Sequence, residues 1–233
     1  MFYGFDPTII ILLPAIIFAV SAQAKVSSAY NKYSKVRNRR GLTGAQAARM
    51  ILDRNGLTGV DIEITKGKLS DHYDPRKRIL RLSPDVYSNP SVAAVSIAAH
   101  EAGHAMQHAI SYKPLGIRNA IAPVVNIGSM LSWPLLLIGI LLITGGSYYH
   151  GNLVFNIGII FFIGVLLFHT VTLPVEFNAS SRAIRELEEY GIVYDEEKRG
   201  AKKVLSAAAM TYVAALAVAV ANLVRILLIR GRE

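Results

Sequence analysis

The segment Ala98-Ala-His100-Glu101-Ala-Gly-His104-Ala-Met-Gln-His108 decides how the rest of this chain is interpreted. It contains the pattern HExxH. In a helix, this spacing places the imidazoles of His100 and His104 on one face, one turn apart, where both can bind the same zinc ion. Glu101 is expected beside that face, in position to accept a proton from a water molecule that the metal activates. Because so short a pattern also arises by chance, the rest of the sequence must support a zinc site before one is inferred.

The composition indicates a membrane protein. The chain has 233 residues, 52% of them hydrophobic, and a formal charge of +9. We do not expect it to bind nucleic acid, because its basic residues lie between long uncharged runs. It has no cysteine, so a metal must be bound by His, Asp or Glu. The basic residues at 25–40 either attract anionic lipid head groups or act only as a topology signal.

A long uncharged region predicts a helical hairpin in the membrane. Residues 119–175 contain no Asp, Glu, Lys or Arg. This run is too long for one crossing, since about 20 residues span a bilayer. The turn-rich patch 145–152 divides it into two predicted spans, at about 120–144 and 153–173.

Further apolar runs occur at both ends of the chain. The run 7–24 is preceded by Asp6 rather than by basic residues, which favours a retained anchor over a cleaved signal peptide. The run 204–224 predicts a C-terminal apolar helix. The predicted fold is mainly α-helical, with about four transmembrane helices and a small zincin-like α+β unit. The predicted parts are an anchor, a cytoplasmic α+β unit, the hairpin, a cytoplasmic helix and the final apolar helix, at residues 1–24, 25–118, 119–175, 176–203 and 204–233.

The distribution of positive charge predicts the orientation in the membrane. Basic residues cluster directly after the first run and again within 176–203, whereas the patch 145–152 has no Lys or Arg. The positive-inside rule therefore places 25–118 and 176–203 in the cytoplasm of a multi-pass plasma-membrane protein. Arg230 and Arg232 are exceptions to this pattern. If the last apolar run spans the membrane fully, both arginines lie outside. Alternatively, the run is tilted or packs at the interface.

A small α+β unit is predicted to precede the metal-binding helix. Thr43 and Gln46 form a capping box that begins a helix. Alternating apolar residues predict strands at 60–64 and 78–82, joined as a hairpin. The helix containing HEAGH is expected at about 91–110. A strand beside this helix can bind a peptide as an additional strand, or it can merely cover the helix.

Glu176 is the candidate for a third zinc ligand. A catalytic zinc site needs a third protein ligand and an open position. Glu176 is the first charged residue after the hairpin, and it is predicted to begin a helix that runs to about Tyr190. Since the hairpin starts just after the HEAGH helix and returns, we expect Glu176 at the same membrane face. The alternative is a solvated carboxylate at the interface. The predicted reaction is attack of activated water on a peptide carbonyl, with Glu101 as the general base.

Other polar residues have weaker claims to the site. His72, Tyr73 and Arg182 are candidate donors to the transition state, although such residues also occur in loops and salt bridges. Local structural roles are predicted for the histidines His108, His150 and His169.

Three motifs together resemble a known family. They are HEAGHAMQH at 100–108, LSDHYDP at 69–75 and LPVEFNAS at 173–180. The chain resembles the YugP-type neutral zinc metallopeptidases of bacterial membranes along most of its length. It is more distantly similar to the HtpX-type membrane metalloproteases.

The resemblance implies a zinc site with named residues. The implied ligands are His100, His104 and Glu176, with one zinc ion per chain and Glu101 as the general base. In many glutamate-liganded zinc peptidases, an Asp four residues after the ligand orients a histidine. That position is Ser180 here, so Asn178 and Ser180 are the candidates for this role. The implied substrates are peptides or membrane proteins near the bilayer.

Three other functions compete with this interpretation. A site-2-type intramembrane protease has a similar motif, but places it within a spanning helix and uses an Asp ligand. An inactive scaffold or chaperone would not need the complete set of site residues. A transporter is disfavoured, because the apolar runs contain few ionisable groups and show no evident inverted repeat.

Overall fold

The computed structural model describes residues 7–230, so Asp6 and Arg232 of the topology argument lie outside the described residues, as do the outer ends of segments 1–24 and 204–233. After a short 3-10 turn at Pro7–Ile11, the chain forms seven α-helices and three strands in the described part. They are α1 (Leu12–Tyr33), α2 (Gly44–Arg54), β1 (Asp61–Ile64), β2 (His72–Asp74), β3 (Ile79–Leu82), α3 (Pro84–Ser88), α4 (Val92–Ala109), α5 (Lys113–Thr144), α6 (Tyr148–Glu189) and α7 (Asp195–Arg230).

Four described helices are long and apolar enough to cross a membrane, as predicted. These segments are Thr8–Tyr33, Lys113–Thr144, Tyr148–Glu189 and Asp195–Arg230. In the region of the predicted hairpin, two of these helices are joined by a short turn, since α5 ends at Thr144 and α6 begins at Tyr148. The predicted mainly helical fold with a small sheet is therefore confirmed.

The helix that was predicted to begin at Glu176 does not exist as a separate element. Glu176 lies inside α6, a continuous helix of 42 residues that contains Pro174. The prediction placed the boundary where the uncharged run ends, and the proline does not interrupt the helix either, although proline removes one backbone hydrogen bond. Long helices of membrane proteins tolerate such a proline where neighbouring groups satisfy the freed carbonyl. The predicted segment 176–203 accordingly contains the end of α6, a turn and the start of α7.

The chain divides into two compact units. The first, the apolar unit, takes the described parts of residues 1–20, 117–173 and 212–233. Its core contains side chains of α5, α6 and α7, namely Leu136, Phe155, Ile159, Phe162 and Ile226. The second, the site unit, is Ser21–Gly116 together with Pro174–Thr211.

Within the site unit, the predicted capping box begins α2. The Thr43 hydroxyl accepts a hydrogen bond from the Gln46 backbone N–H, and the Gln46 side chain accepts one from the Thr43 N–H. These bonds satisfy two backbone donors that a helix N-terminus leaves free. The N-terminus of α4 is capped similarly, since the Ser91 hydroxyl accepts a hydrogen bond from the Ala94 N–H at 3.2 Å.

The sheet corrects the predicted hairpin. The strands near 60–64 and 78–82 are present, but β1 and β3 pair in parallel. Parallel neighbours cannot be joined by a tight turn. The intervening chain therefore forms β2, which pairs antiparallel to β3 and gives the order β1-β3-β2. As a result β2 is an edge strand, and it contacts α4.

The core of the site unit surrounds α4. Apolar side chains of α2, β3, the end of α6 and the start of α7 pack in one cluster with it, including Ile51, Leu80, Val95, Leu187 and Leu205. Nearly every side chain from Val92 to Gln107 is buried. A helix that is buried on all sides must find partners for its polar side chains within the protein.

Candidate metal centre

The close approach of α4 to α6 positions the candidate ligands. A Cβ atom at Gly103 would lie 2.7 Å from the backbone oxygen of Ala179. Only glycine permits this backbone contact without a shift of one helix. Because Gly103 lies between His100 and His104 in the sequence, and Ala179 is three residues beyond Glu176, the contact brings the two histidines to the carboxylate.

Three donor atoms converge at this contact. The Glu176 Oε2 lies 3.3 Å from the His100 Nε2 and 3.7 Å from the His104 Nε2. The ligand atoms of the three residues all lie within 4.8 Å of one another. His104 and Glu176 are buried, with exposed fractions of 8% and 3%. The structure thus brings together the three residues predicted as ligands.

Gln107, which the sequence interpretation did not select, fixes the proton of His104. This fully buried amide donates from its Nε2 to the Val175 carbonyl at 2.8 Å, so its Oε1 must face the other way. That oxygen lies 3.0 Å from the His104 Nδ1. Because an amide oxygen only accepts, the His104 Nδ1 carries a proton, and in the neutral ring the Nε2 then has the lone pair.

Two further predicted residues continue this chain of hydrogen bonds. The Asn178 Oδ1 accepts a hydrogen bond from the Gln107 Nε2 at 3.0 Å and another from the Arg182 Nε at 2.8 Å. Arg182 therefore has its side chain engaged in holding Asn178. The amide of Gln107 was detectable in principle, since it follows His104 by three residues and so lies on the same side of the helix.

His100 has a different partner. Its Nδ1 lies 3.1 Å from the Ser180 Oγ. A hydroxyl can donate or accept, so this contact orients the ring but does not by itself fix its proton. Ser180 thus occupies the place where an Asp was expected from other glutamate-liganded sites.

Glu101 follows His100 and is buried, with an exposed fraction of 8%. Burial raises the pKa of its carboxyl to about 7, although the nearby His100 opposes the shift. A carboxyl with such a pKa can both accept and release a proton near neutral pH.

The two candidate donors on β2 have different surroundings. The Tyr73 hydroxyl lies 2.9 Å from the His108 Nδ1, and burial raises the pKa of this tyrosine. His108 is therefore engaged with β2, as its predicted local role requires. The His72 ring is exposed, and its Nδ1 lies 2.8 Å from the Ser70 carbonyl oxygen.

The chemistry of the three donors fits a zinc ion. Zinc binds imidazole nitrogens and carboxylate oxygens, and two histidines with one glutamate is a known catalytic set. In such sites, the second nitrogen of each histidine is normally held by a hydrogen bond. Both second nitrogens have such a partner here, in Gln107 and Ser180. His100, His104 and Glu176 can therefore hold a metal ion of this kind.

Comparison with known proteins agrees with these observations. Residues 8–231 match the model of a family described as "Putative neutral zinc metallopeptidase". The chain belongs to this family. It is 48% identical over 214 residues to "Putative membrane protease YugP" of Bacillus subtilis (strain 168), an alignment covering 91% of this chain and 92% of that protein. The resemblance inferred from the three motifs is thus confirmed. No solved structure matches the chain significantly.

Proposed function

We propose that this protein is a membrane zinc peptidase that hydrolyses peptide bonds at the α4–α6 contact. The observation that carries the proposal is the pair of histidine Nε2 atoms that converge on Glu176, with the His104 proton fixed on the other nitrogen. This proton position suits a metal ligand, because the coordinating nitrogen of a neutral ring must carry a lone pair.

Glu101 is proposed as the general base. A zinc ion held by His100, His104 and Glu176 would supply Lewis acidity toward water and a peptide carbonyl. The Glu101 carboxylate accepts a proton from the attacking water and then donates it to the leaving amine. Its burial supports this role, because a carboxyl with a pKa near 7 can take both protonation states during turnover.

The peptide is proposed to bind along β2. This strand lies at the edge of the sheet and contacts α4, so an extended peptide there would lie next to the two histidines. Backbone hydrogen bonds to an edge strand bind peptides of many sequences. Of the three candidate donors to the transition state, we favour His72, because its ring is exposed on this strand. Tyr73 and Arg182 are engaged elsewhere.

The site is proposed to lie at the cytoplasmic face, on the basis of the charge distribution. The cysteine-free chain permits a direct test with single cysteines, such as Ser147→Cys in the hairpin turn and Lys66→Cys in the site unit. In intact cells, an impermeant maleimide should label only the first. If only Lys66→Cys were labelled, the orientation in the membrane would be the opposite of the one proposed. The intramembrane alternative is disfavoured because α4 is not among the four candidate spans.

Metal content and cleavage together test the proposed roles. Purified wild type should contain about one zinc ion per chain and cleave an unstructured peptide. Glu101→Gln should retain zinc and lose cleavage, whereas Glu176→Ala should lose zinc. Glu189→Ala, an exposed glutamate on the same helix, is the matched control and should resemble wild type. Full zinc retention in Glu176→Ala would exclude Glu176 as a ligand, and cleavage by Glu101→Gln would exclude it as the base.

A further inference from the structure

A groove between α1 and α7 lies within the site unit, apart from the metal centre. Its volume is about 420 Å³. Three lysines and two serines line it, together with a tyrosine and small or flexible apolar residues: Lys25, Ser28, Ala29, Lys32, Tyr33, Lys203, Ser206, Ala207 and Met210. No acidic residue is among them.

The three lysines of this groove are not paired with acidic side chains in the described part of the chain. No salt bridge joins Lys25, Lys32 or Lys203 to a carboxylate within residues 7–230. The neighbouring Lys202 differs, since it pairs with Glu188. Three like charges on adjacent helix faces repel one another, and an anion between them relieves that repulsion.

The groove coincides with the ends of two apolar runs. Lys25 is the first charged residue after the uncharged run 7–24, and Lys203 is the last one before the run 204–224. Met210, which also lines the groove, belongs to the second run. The lysines therefore lie where membrane helices meet the aqueous phase, which is the depth of phospholipid phosphates.

We propose that this groove binds the head group of an anionic phospholipid. The lysine amines and serine hydroxyls would hold the phosphate, and the apolar residues toward Met210 would contact the start of the acyl chains. Basic pockets between membrane helices recognise such head groups. The proposal goes beyond the peptidase activity and does not depend on it.

Lipid in this groove would also support the metal-binding helix. A Cβ atom at Gly200 on α7 would lie 2.7 Å from the Tyr33 ring and 3.1 Å from Val92, the first residue of α4. The segment that follows α1 also contacts the start of α4, since the Val92 N–H donates a hydrogen bond to the Val36 carbonyl. Lipid binding that holds α1 against α7 should therefore stabilise the site unit.

Native mass spectrometry of the purified full chain, titrated with phosphatidylglycerol in detergent, tests this proposal. Lys25→Gln with Lys203→Gln should weaken lipid binding at least tenfold. Lys66→Gln with Lys68→Gln makes the same change in net charge at exposed sites outside the groove and should bind like wild type. The arginine pair, Lys25→Arg with Lys203→Arg, should restore binding.

Three results would overturn the proposal. Equal losses in the two glutamine pairs would show that net charge alone attracts the lipid. Equal binding of phosphatidylcholine would exclude recognition of an anionic head group. Competition by glycerol phosphate at the same concentration would indicate a site for free phosphate. Without lipid, the unfolding temperature should stay at the wild-type level in every variant, which controls for misfolding. Phosphatidylglycerol should raise the unfolding temperature of wild type but not of the groove pair.

Discussion

His100 and His104 present the same ring atom to Glu176, but their other nitrogens have different partners. His104 meets the amide oxygen of Gln107, which is held in turn by Val175 and Asn178. His100 meets only the hydroxyl of Ser180. An acceptor in a fixed network dictates the proton position, whereas a hydroxyl adapts to it. If these residues bind zinc as proposed, His104 has its proton position fixed before the metal binds, whereas that of His100 is free to adapt.

Gln107→Leu should have the largest effect on zinc affinity, because it removes the hydrogen bond that holds His104. The change removes the acceptor for the His104 Nδ1 and leaves the Val175 carbonyl without the amide donor. Loss of such a partner typically weakens metal binding by about 10- to 100-fold. Chelator competition measures the zinc affinity. In metal-free protein, ¹⁵N spectra should show that His104 changes from one tautomer to a mixture.

Two other variants sharpen this prediction. Gln107→Glu keeps an acceptor for His104, so His104 should remain a single tautomer although stability falls. Gln46→Leu makes the same substitution in the capping box of α2 and should change stability but not zinc affinity. If Gln107→Leu binds zinc as tightly as wild type, preorganisation of His104 plays no part in metal binding.

Gly103→Ala should have the next largest effect and should act on both histidines. The new Cβ would lie 2.7 Å from the Ala179 backbone oxygen, so α4 and α6 must separate. Overpacking of this kind costs about 1–3 kcal/mol in the free energy of unfolding, measurable by thermal denaturation. Gly164→Ala in α6 is the control, because nothing lies within 4 Å of its Cβ position. Equal stability of the two variants would contradict the close approach.

Glu101, the residue next to His100, should make the stability of the protein depend on pH. Burial raises the pKa of Glu101 from 4.5 to about 7, so the folded chain binds this proton more tightly than the unfolded chain. The resulting stability is present below pH 4.5 and is lost as the pH rises toward 7. For metal-free protein, the free energy of unfolding of Glu101→Gln minus that of wild type should therefore increase between pH 5 and pH 8. We expect an increase of about 2–3 kcal/mol, and a constant difference would exclude this shift.

The sequence predicts the parts of the molecule that depend on local patterns. The spacing of His100 and His104 and the capping box are set by residues within one turn of a helix, and both are found as expected. The parallel pairing of β1 with β3 was missed, because it depends on the three-residue strand β2, whose length gives no pattern of alternation. The helix start expected at Glu176 is absent, because the apolar helix continues through the charged residues that follow it.

The candidate site was predicted incompletely for a related reason. Glu176 could be selected because it ends a long uncharged run, and because the predicted hairpin returns it to the face where the HEAGH helix ends. Gln107 carries no charge and belongs to no motif that marks a metal site. Only the packing of α4 inside the protein shows that this amide is fully buried and therefore has to be paired.

Ser180→Ala should have the smallest effect and provides the decisive test of the comparison. The change removes one hydrogen bond to the His100 Nδ1, which is typically worth about 1 kcal/mol, so zinc affinity should fall only about fivefold. Ser181→Ala is the control, because that neighbouring hydroxyl bonds only its own helix, at the Phe177 carbonyl. If Ser180→Ala weakens zinc binding as much as Gln107→Leu, the two histidines are oriented equally well. The proposed asymmetry between a preorganised and an adaptable ligand would then be wrong.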